Sequence, residues 1–428
     1  STRLDFTPTA RGITHTLPEA PTNSSRSFSA PLRVLIGADT FPPDVNGAAN
    51  FTARLAAGLV GRGHEVFIEA PAADRHHGVF VEEHDGEKFT VYRVYSWRWF
   101  PHDWLRFVLP WRSQAHAARI LDEVKPDVVH IQSHIVVGRG LARQAKLRGI
   151  RVVATNHFMP ENLLQHTLLP KFLRKAAVRI AWKDAAKTYH LVESITVPTR
   201  KGAEFLEEAT DLTGVHAISC GIDSSEYTPS FEMKTQNRIL FVGRVTGEKH
   251  IDVLIKAVAK LDPALDAKLE IVGGGDLMHQ LKRLAVEVGI ADRTTFTGFV
   301  SDDELKAAYT HATVFAIPST AELQSIATLE AMSSGLPVVA ANAMALPHLV
   351  HPGVNGYLFE PGDVDDLVAK LTTVLTASED ELARMKRNSL KLIAPHDIES
   401  TLTTFERLYR GETVTDPVTE VSLDESAS

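Results

Sequence analysis

The stretch AELQSIATLEAMSSGLPVVAAN, residues 321–342, places two acids, Glu322 and Glu330, eight positions apart. Ser325 is a candidate N-cap for a helix through IATLEAMSS. Gly335 supplies a C′ stop, Pro337 prevents continuation, and PVVAAN opens a strand. Eight helical steps rotate through about 800°, which would leave the acids about 80° apart if both were helical. They therefore read better as one loop carboxylate and one helical carboxylate, with the free amides of a helix N-terminus between them. Carboxylates that accept hydroxyl hydrogen bonds, flanking amides that hold phosphate, suit a sugar nucleotide. An ordinary amphipathic helix carrying a solvated glutamate has the same spacing.

Working outward, short apolar strands alternate with helical patterns. LRVLIGAD, EVFIEAP, VVHIQSH and RVVATNH lie in the first half, and RILFVGR, KLEIVGGG, TTFTGFV and TVFAIPS in the second. Strands apolar on both faces and alternating with helices imply parallel sheets built from βαβ units. Two such series meet at the turn-rich segment 216–229. The expectation is therefore an α/β chain of two Rossmann-like parallel-sheet domains facing across a cleft, with ligands at the carboxyl ends of the strands. The expected divisions are an arm over 1–30, a first domain over 31–215 and a second over 216–395. A C-terminal helix over 396–411 and an acidic tail over 412–428 complete the chain. The arm is rich in Ser, Thr and Pro without periodicity and reads as disordered, as does the tail.

A length of 428 residues exceeds one ordinary domain, and 44% hydrophobic with 23% charged residues is a normal globular mix. No run of 18 uncharged apolar residues exists, and residues 1–31 lack an apolar core of signal-peptide type. The single cysteine, Cys220, excludes an internal disulfide and reads as a small buried residue in a reducing compartment. A net charge of −8 argues against nucleic acid as a partner.

Several strand ends carry chemistry. Gly47 precedes a helix and lets backbone approach a ligand. His157 ends RVVATNH, while His130 and His134 end VVHIQSH; each also fits a purely structural role. Arg244 and Lys249, five apart after the strand RILFV, are cations of the kind needed when negative charge grows on a departing diphosphate. IVGGGD (271–276) is a glycine-rich turn without the order of a dinucleotide fingerprint. In TFTGFVSDDEL, Asp302 and Asp303 read as acids at a helix N-terminus.

Taken together, these blocks resemble the retaining glycosyltransferases of family 4, which have the GT-B fold; the resemblance covers roughly residues 32–410. It rests on Gly243-Arg244 with Lys249, on the T-x-H type histidine His157, on the E-x₇-E pair Glu322 and Glu330, and on GVNGYLFEPGD (353–363). The resemblance implies transfer of a hexose, glucose or mannose, from a UDP- or GDP-sugar with retention at the anomeric carbon. It implies no cofactor and no metal, and the sequence places no Asp-x-Asp ligand set to hold one. Arg244 and Lys249 would stabilise the leaving group, Glu322 would bind sugar hydroxyls, and His157 would lie beside the reacting centre. Glu330 would hold the ribose, and the backbone at Val300 the base. Gly47, Gly243, Gly273 and the amides of Leu323, Gln324, Ser325 and Ile326 would line the donor, with His130 and His134 on the acceptor side. Two departures stand out: Asn46-Gly47-Ala48 replaces the usual glycine pair, and Leu323-Gln324-Ser325 replaces Ser-Phe-Gly.

The acceptor is read from residues 164–190, where Leu, Phe, Ile and Trp are interleaved with Lys171, Arg174, Lys175, Arg179 and Lys183. Such a helix suits an anionic membrane surface, and Trp97, Trp99, Phe100, Trp104 and Phe107 add an aromatic loop. The expectation is a lipid head group as acceptor, as in the phosphatidylinositol mannosyltransferases and diacylglycerol glucosyltransferases of the family. The enzyme would be cytoplasmic, peripheral on the inner face of the plasma membrane. A soluble sugar, inositol or polyol acceptor is the alternative, and a non-catalytic nucleotide-sugar-binding protein a weaker one. An amphipathic helix packed on its own domain with a solvated basic face explains 164–190 equally well.

Overall fold

The computed structural model describes residues 30–44, 46–74, 76–98, 106–158, 171–233 and 235–415. Most of the expected arm and tail, Trp99, Phe100, Trp104 and residues 164–170 lie outside them, as do the side chains of Phe107, Lys171 and Arg174.

The first sheet has eight strands: β1 (Arg33–Gly37), β2 (Glu65–Pro71), β3 (Gly78–His84), β4 (Glu87–Val94), β7 (Val128–Ile131), β8 (Arg151–Thr155), β9 (Ser194–Val197) and β10 (His216–Ala217). Their order is β10-β9-β8-β7-β1-β2-β4-β3, all parallel except the edge strand β3, which pairs antiparallel with β4. Trp97–Arg98 (β5) and Arg106–Phe107 (β6) form a small separate ribbon. The second sheet comprises β11 (Arg238–Val242), β12 (Lys268–Val272), β13 (Thr294–Gly298), β14 (Val314–Ile317), β15 (Val338–Ala341) and β16 (Gly356–Phe359). It is wholly parallel, in the order β13-β12-β11-β14-β15-β16. Two doubly wound sheets covered by helices are the two Rossmann-like domains of the GT-B arrangement.

Near-continuous apolar strands form these sheets because each is covered on both faces. On one face of the first sheet Val34, Ile36, Val66 and Ile68 pack with the helix Gly47–Gly61 and the last helix, Ile398–Tyr409. On the other face Leu35, Val129, Ile131 and Val152 pack with residues of Pro110–Val124, Val137–Leu147 and Lys171–Tyr189. The helix Lys171–Tyr189 turns Trp182, Ala185 and Tyr189 into this core. Lys175, Arg179, Lys183 and Lys187, four apart, remain exposed together with Ile180. Its outward face is thus basic rather than broadly apolar.

The last helix follows the second sheet in sequence yet lies against the first. Arg62 donates to Glu399 and Glu406 at 2.6 and 2.7 Å, and His64 Nε2 lies 2.7 Å from Glu406. Beneath this helix sits His130, fully buried, with Nδ1 2.7 Å from the Tyr409 hydroxyl and Nε2 2.7 Å from the Thr155 hydroxyl. The acceptor-side expectation for His130 is corrected here. Both ring nitrogens are engaged and the Phe405 ring covers it at 5.0 Å, so no acceptor can touch it.

Burial, with a smaller push from His157, lowers the His130 imidazole to about 3, so the ring is neutral in the fold. The unfolded chain protonates it near 6.5. Its contribution is therefore complete above pH 6.5 and declines as pH falls toward 3, at about 1.4 kcal/mol per pH unit. Urea unfolding at pH 7.5 and pH 5 should show wild type losing stability on acidification and His130→Gln losing less. Equal losses would contradict this reading.

Candidate functional site

The second sheet reverses its winding between β11 and β14, which are neighbours. Ligands of doubly wound sheets bind at such a switch point, beyond the carboxyl ends of the two strands. The segment after β11 carries Arg244 and Lys249; the segment after β14 carries Glu322. Lys249 Nζ donates to Glu322 Oε1, with the two side chains only 16% and 11% exposed. Arg244 reaches Glu248 at 3.6 Å. The structure therefore brings the two cations and the first acid into one charged cluster.

Glu248 holds that cluster together. Its carboxylate accepts from Thr246 Oγ1 at 2.7 Å. Its carbonyl accepts from Ser319 Oγ and from the Thr320 amide, both at 3.3 Å, tying the two strand-end segments to each other. Burial opposes ionisation, but the Thr246 hydroxyl, a backbone amide, Arg244 and Lys249 together hold the carboxyl below its ordinary value. An acid between two cations was the one available signal.

Close backbone approach fixes the floor beside this cluster. Gly273 has φ +124°, and a Cβ there would lie 2.0 Å from the Gly243 carbonyl oxygen. The Gly243 amide donates to Val272 O at 3.0 Å, and the Gly273 amide to Gly298 O at 2.9 Å. The ends of β11, β12 and β13 thus interlock through glycines. Val300 follows them, half-buried, just before Ser301, whose capping box with Glu304 starts the helix Asp302–His311.

The E-x₇-E segment has the expected division, with Glu322 in the loop before the helix Ile326–Ser333 and Glu330 within it. The helix begins at Ile326, but Ser325 makes no side-chain cap bond. At φ +70° its hydroxyl is instead 2.7 Å from the Thr328 hydroxyl. Ser325 thus stands at the expected N-cap position without bonding the helix amides through its side chain. Gln324, expected to line the donor through its amide, has its side chain committed elsewhere. Nε2 donates to Ser219 Oγ at 2.6 Å and Oε1 accepts from the Cys220 amide at 2.8 Å. Leu323 O accepts from Thr199 Oγ1 of the first domain at 3.0 Å. The Leu-Gln-Ser insert is therefore a tie from the loop to the joining segment and the opposite domain.

Glu330, one turn into the same helix, accepts from the Tyr309 hydroxyl at 2.8 Å. Burial raises its carboxyl above the ordinary value, while Tyr309, Arg54 and Tyr227 oppose that rise. Neither tyrosine was singled out from the sequence.

In the first domain, His157 Nε2 donates to Gln132 Oε1 at 2.9 Å, and its ring lies 5.0 Å from Phe51. Burial lowers it to about 4, so the ring is neutral and leaves Nδ1 as an acceptor. Gln132 was another residue missed. His134 is buried with Nδ1 3.1 Å from the Tyr189 hydroxyl, and burial lowers it to about 4. Its Nδ1 thus serves that internal pair. Gly47 is the first residue of its helix, capped by the Asn46 side chain, which accepts from the Ala49 amide at 2.9 Å. Open space surrounds the position its Cβ would take.

Residues 225–392 match the family model described as glycosyl transferases group 1, and residues 45–226 match the one described as glycosyltransferase family 4. The sulfoquinovosyl transferase SQD2 of Arabidopsis thaliana is 30% identical over 380 residues, covering 83% of this chain and 69% of that protein. A GDP-mannose-dependent alpha-mannosyltransferase of Mycolicibacterium smegmatis is 30% identical over 81% of this chain and 88% of its own length. The alpha-monoglucosyldiacylglycerol synthase of Streptococcus pneumoniae is 25% identical, covering 82% and 79%. Among solved structures, a sucrose-phosphate synthase from Thermosynechococcus elongatus superposes with a TM-score of 0.73 at 19% identity, covering 89% of this chain and 99% of that one. With both halves matched in the family order and the fold in common, this chain belongs to the family 4 glycosyltransferases of GT-B architecture.

Proposed function

We propose that this glycosyltransferase moves a hexose, glucose or mannose, from UDP- or GDP-sugar to a lipid head group, with retention and without a metal ion. The observation that carries the donor half of this reading is the Lys249–Glu322 ion pair at the switch point of the second sheet. Bond cleavage puts negative charge on the departing diphosphate. Arg244 and Lys249 answer that charge, and because neighbours already orient them, little reorganisation accompanies the step. Glu322 accepts hydroxyl hydrogen bonds from the sugar, and Glu330 accepts them from the ribose. Gly243, Gly273 and the amides from Leu323 to Ile326 line the donor, and the backbone at Val300 meets the base. His157 faces the transferred sugar as a neutral imidazole. No side chain is assigned as nucleophile; the leaving phosphate takes the acceptor proton on the same face. Calorimetric titration with UDP, GDP and ADP and their sugars identifies the base, and proton NMR of the product reads the anomeric configuration. Inversion, or activity abolished by a chelator and restored by a divalent ion, would overturn this scheme. In steady-state assays Lys249→Ala should lower kcat by about 10²-fold or more, as loss of one oxyanion donor does elsewhere. Turnover at the wild-type rate would sink the role of Lys249.

The lipid half rests on the row Lys175, Arg179, Lys183 and Lys187, which spans about 18 Å along one side of an exposed helix. Trp111 at 68% and Trp97 at 47% exposure add surface aromatics in the same domain. Cations at this spacing suit the anionic cytoplasmic leaflet, each worth about 1 kcal/mol near the surface. A relative that synthesises monoglucosyldiacylglycerol has a diacylglycerol-based product by its name. Co-sedimentation with vesicles containing phosphatidylglycerol should show binding that falls as salt rises. Replacing Lys175, Arg179, Lys183 and Lys187 with Glu should abolish it while leaving nucleotide binding intact. Absence of wild-type binding, with transfer to a soluble sugar or inositol in an acceptor panel, would replace the lipid by a soluble acceptor.

A further inference from the structure

One carboxamide joins the imidazole of the proposed sugar site to the last helix. Gln132 follows β7 and is 3% exposed, and its backbone amide donates to the Gly37 carbonyl at 2.8 Å. Its side chain lies between two histidines. Oε1 is 2.9 Å from His157 Nε2, and Nε2 is 3.3 Å from His130 Nε2. A carboxamide is directional, because its nitrogen only donates and its oxygen only accepts. Each histidine therefore takes the tautomer that suits the end of Gln132 it meets.

At the nitrogen end, His130 Nε2 is a bare acceptor. The Thr155 hydroxyl lies 2.7 Å from the same Nε2 and 2.7 Å from the Thr196 hydroxyl, and fits the same direction, from Thr196 to Thr155 to the ring. The single proton of the neutral His130 ring then sits on Nδ1 and is donated to the Tyr409 hydroxyl oxygen at 2.7 Å. At the oxygen end, His157 Nε2 carries the proton. Burial alone shifts this ring, down to about 4, so no second proton is present near neutral pH. Its Nδ1 is thus a bare lone pair, with no hydrogen-bond partner among the described residues. The half-buried ring also packs on Phe51 at 5.0 Å. The two histidines hold their protons on opposite nitrogens, and Tyr409 of the last helix anchors one end of the chain.

The tautomer decides what His157 can recognise. A bare Nδ1 accepts from a hydroxyl; a protonated Nδ1 could only donate. We propose that Gln132 is a positioning residue for sugar recognition: it holds His157 as the Nε2–H tautomer, so that Nδ1 accepts a hydrogen bond from one hydroxyl of the transferred sugar. The inference rests on the reading of His157 as facing that sugar. It makes recognition of a sugar hydroxyl depend on a buried chain that runs through His130 to Tyr409, 277 residues beyond Gln132 in sequence.

Histidine tautomers are read by long-range proton–nitrogen NMR on ligand-free, isotope-labelled protein at pH 7.5, with signals assigned by their absence in His130→Gln and His157→Gln. Wild type should show His157 protonated on Nε2 and His130 on Nδ1; a His157 proton on Nδ1 overturns the proposal. Gln132→Leu removes both ends of the carboxamide and should leave the His157 proton shared between its nitrogens. Gln132→Glu keeps an oxygen toward Nε2 and should keep the proton in place. An unchanged His157 pattern in Gln132→Leu also overturns the proposal. Transfer from UDP-glucose or GDP-mannose, whichever is turned over, is then compared with transfer from its monodeoxy analogues. For at least one analogue, wild type should lose about tenfold in kcat/KM, and Gln132→Leu should lose less. UDP or GDP alone should bind Gln132→Leu within threefold of wild type, a result that a general structural defect would not give. Equal losses in the two proteins for every analogue overturn the link to the sugar. If wild type turns over neither donor, the donor reading fails, and the ligand-free tautomers still decide whether Gln132 sets His157.

Discussion

A lysine and a glutamate held together out of water organise this molecule. Lys249 and Glu322 are 73 residues apart, and at such low exposure each supplies the other's compensating charge. Removing one partner of a buried pair typically costs about 3–5 kcal/mol, because the other is left uncompensated. The pair exists only because β11 and β14 are neighbours with their carboxyl ends on the same side. Glu248 then locks the two strand-end segments through its carbonyl, and the Ala345 amide holds the Glu322 carbonyl at 3.2 Å. The topology of the second sheet and the placement of charge are thus one constraint.

The loop that carries Glu322 does not float on its own domain. Within two residues of that acid, Leu323 accepts from Thr199 of the first domain and Gln324 binds Ser219 and Cys220 of the joining segment. His396, near the start of the returning helix, meets the same Ser219 hydroxyl at 2.9 Å, and burial lowers its ring to about 4. A neutral His396 can share the hydroxyl and amide without adding charge to a buried cluster. Any displacement of the Glu322 loop must therefore break or carry along bonds to three parts of the chain.

The sequence made the fold legible through its period. Apolar runs such as LRVLIGAD and RILFVGR read as doubly covered strands and are β1 and β11. The antiparallel β3–β4 pair escaped because Val79, Phe80 and Val81 stand exposed on an edge, without the pattern of a buried strand. The charged residues of the second domain were legible because Gly-Arg-x₄-Lys and Glu-x₇-Glu are short-range spacings. What supports them was not. Tyr309 lies 21 residues from Glu330, Gln132 lies 25 from His157, and Ser219 lies 105 from Gln324. Position at a strand end misled the reading of His130, since a helix 279 residues away closes over that end. Ser325 does stand at the N-cap position, but its left-handed backbone gives its hydroxyl to Thr328 rather than to a helix amide.

The four residues of the charged cluster, Arg244, Glu248, Lys249 and Glu322, carry formal charges that cancel. A neutral cluster is a stable arrangement for the ligand-free protein, but an incoming diphosphate adds negative charge to it. On the proposed reading, the ammonium of Lys249 turns toward phosphate as that charge arrives, and Glu322 exchanges an ion pair for sugar hydroxyls. Glu248 cannot make the same exchange, because the Thr246 hydroxyl and its own backbone bonds hold it in place. One carboxylate is thus fixed to orient a cation, while that of Glu322 is held by the charge it would give up. On that reading, the difference between two nearby carboxylates, set by their hydrogen bonds rather than by their residue type, would let one cluster both hold its shape and receive a substrate.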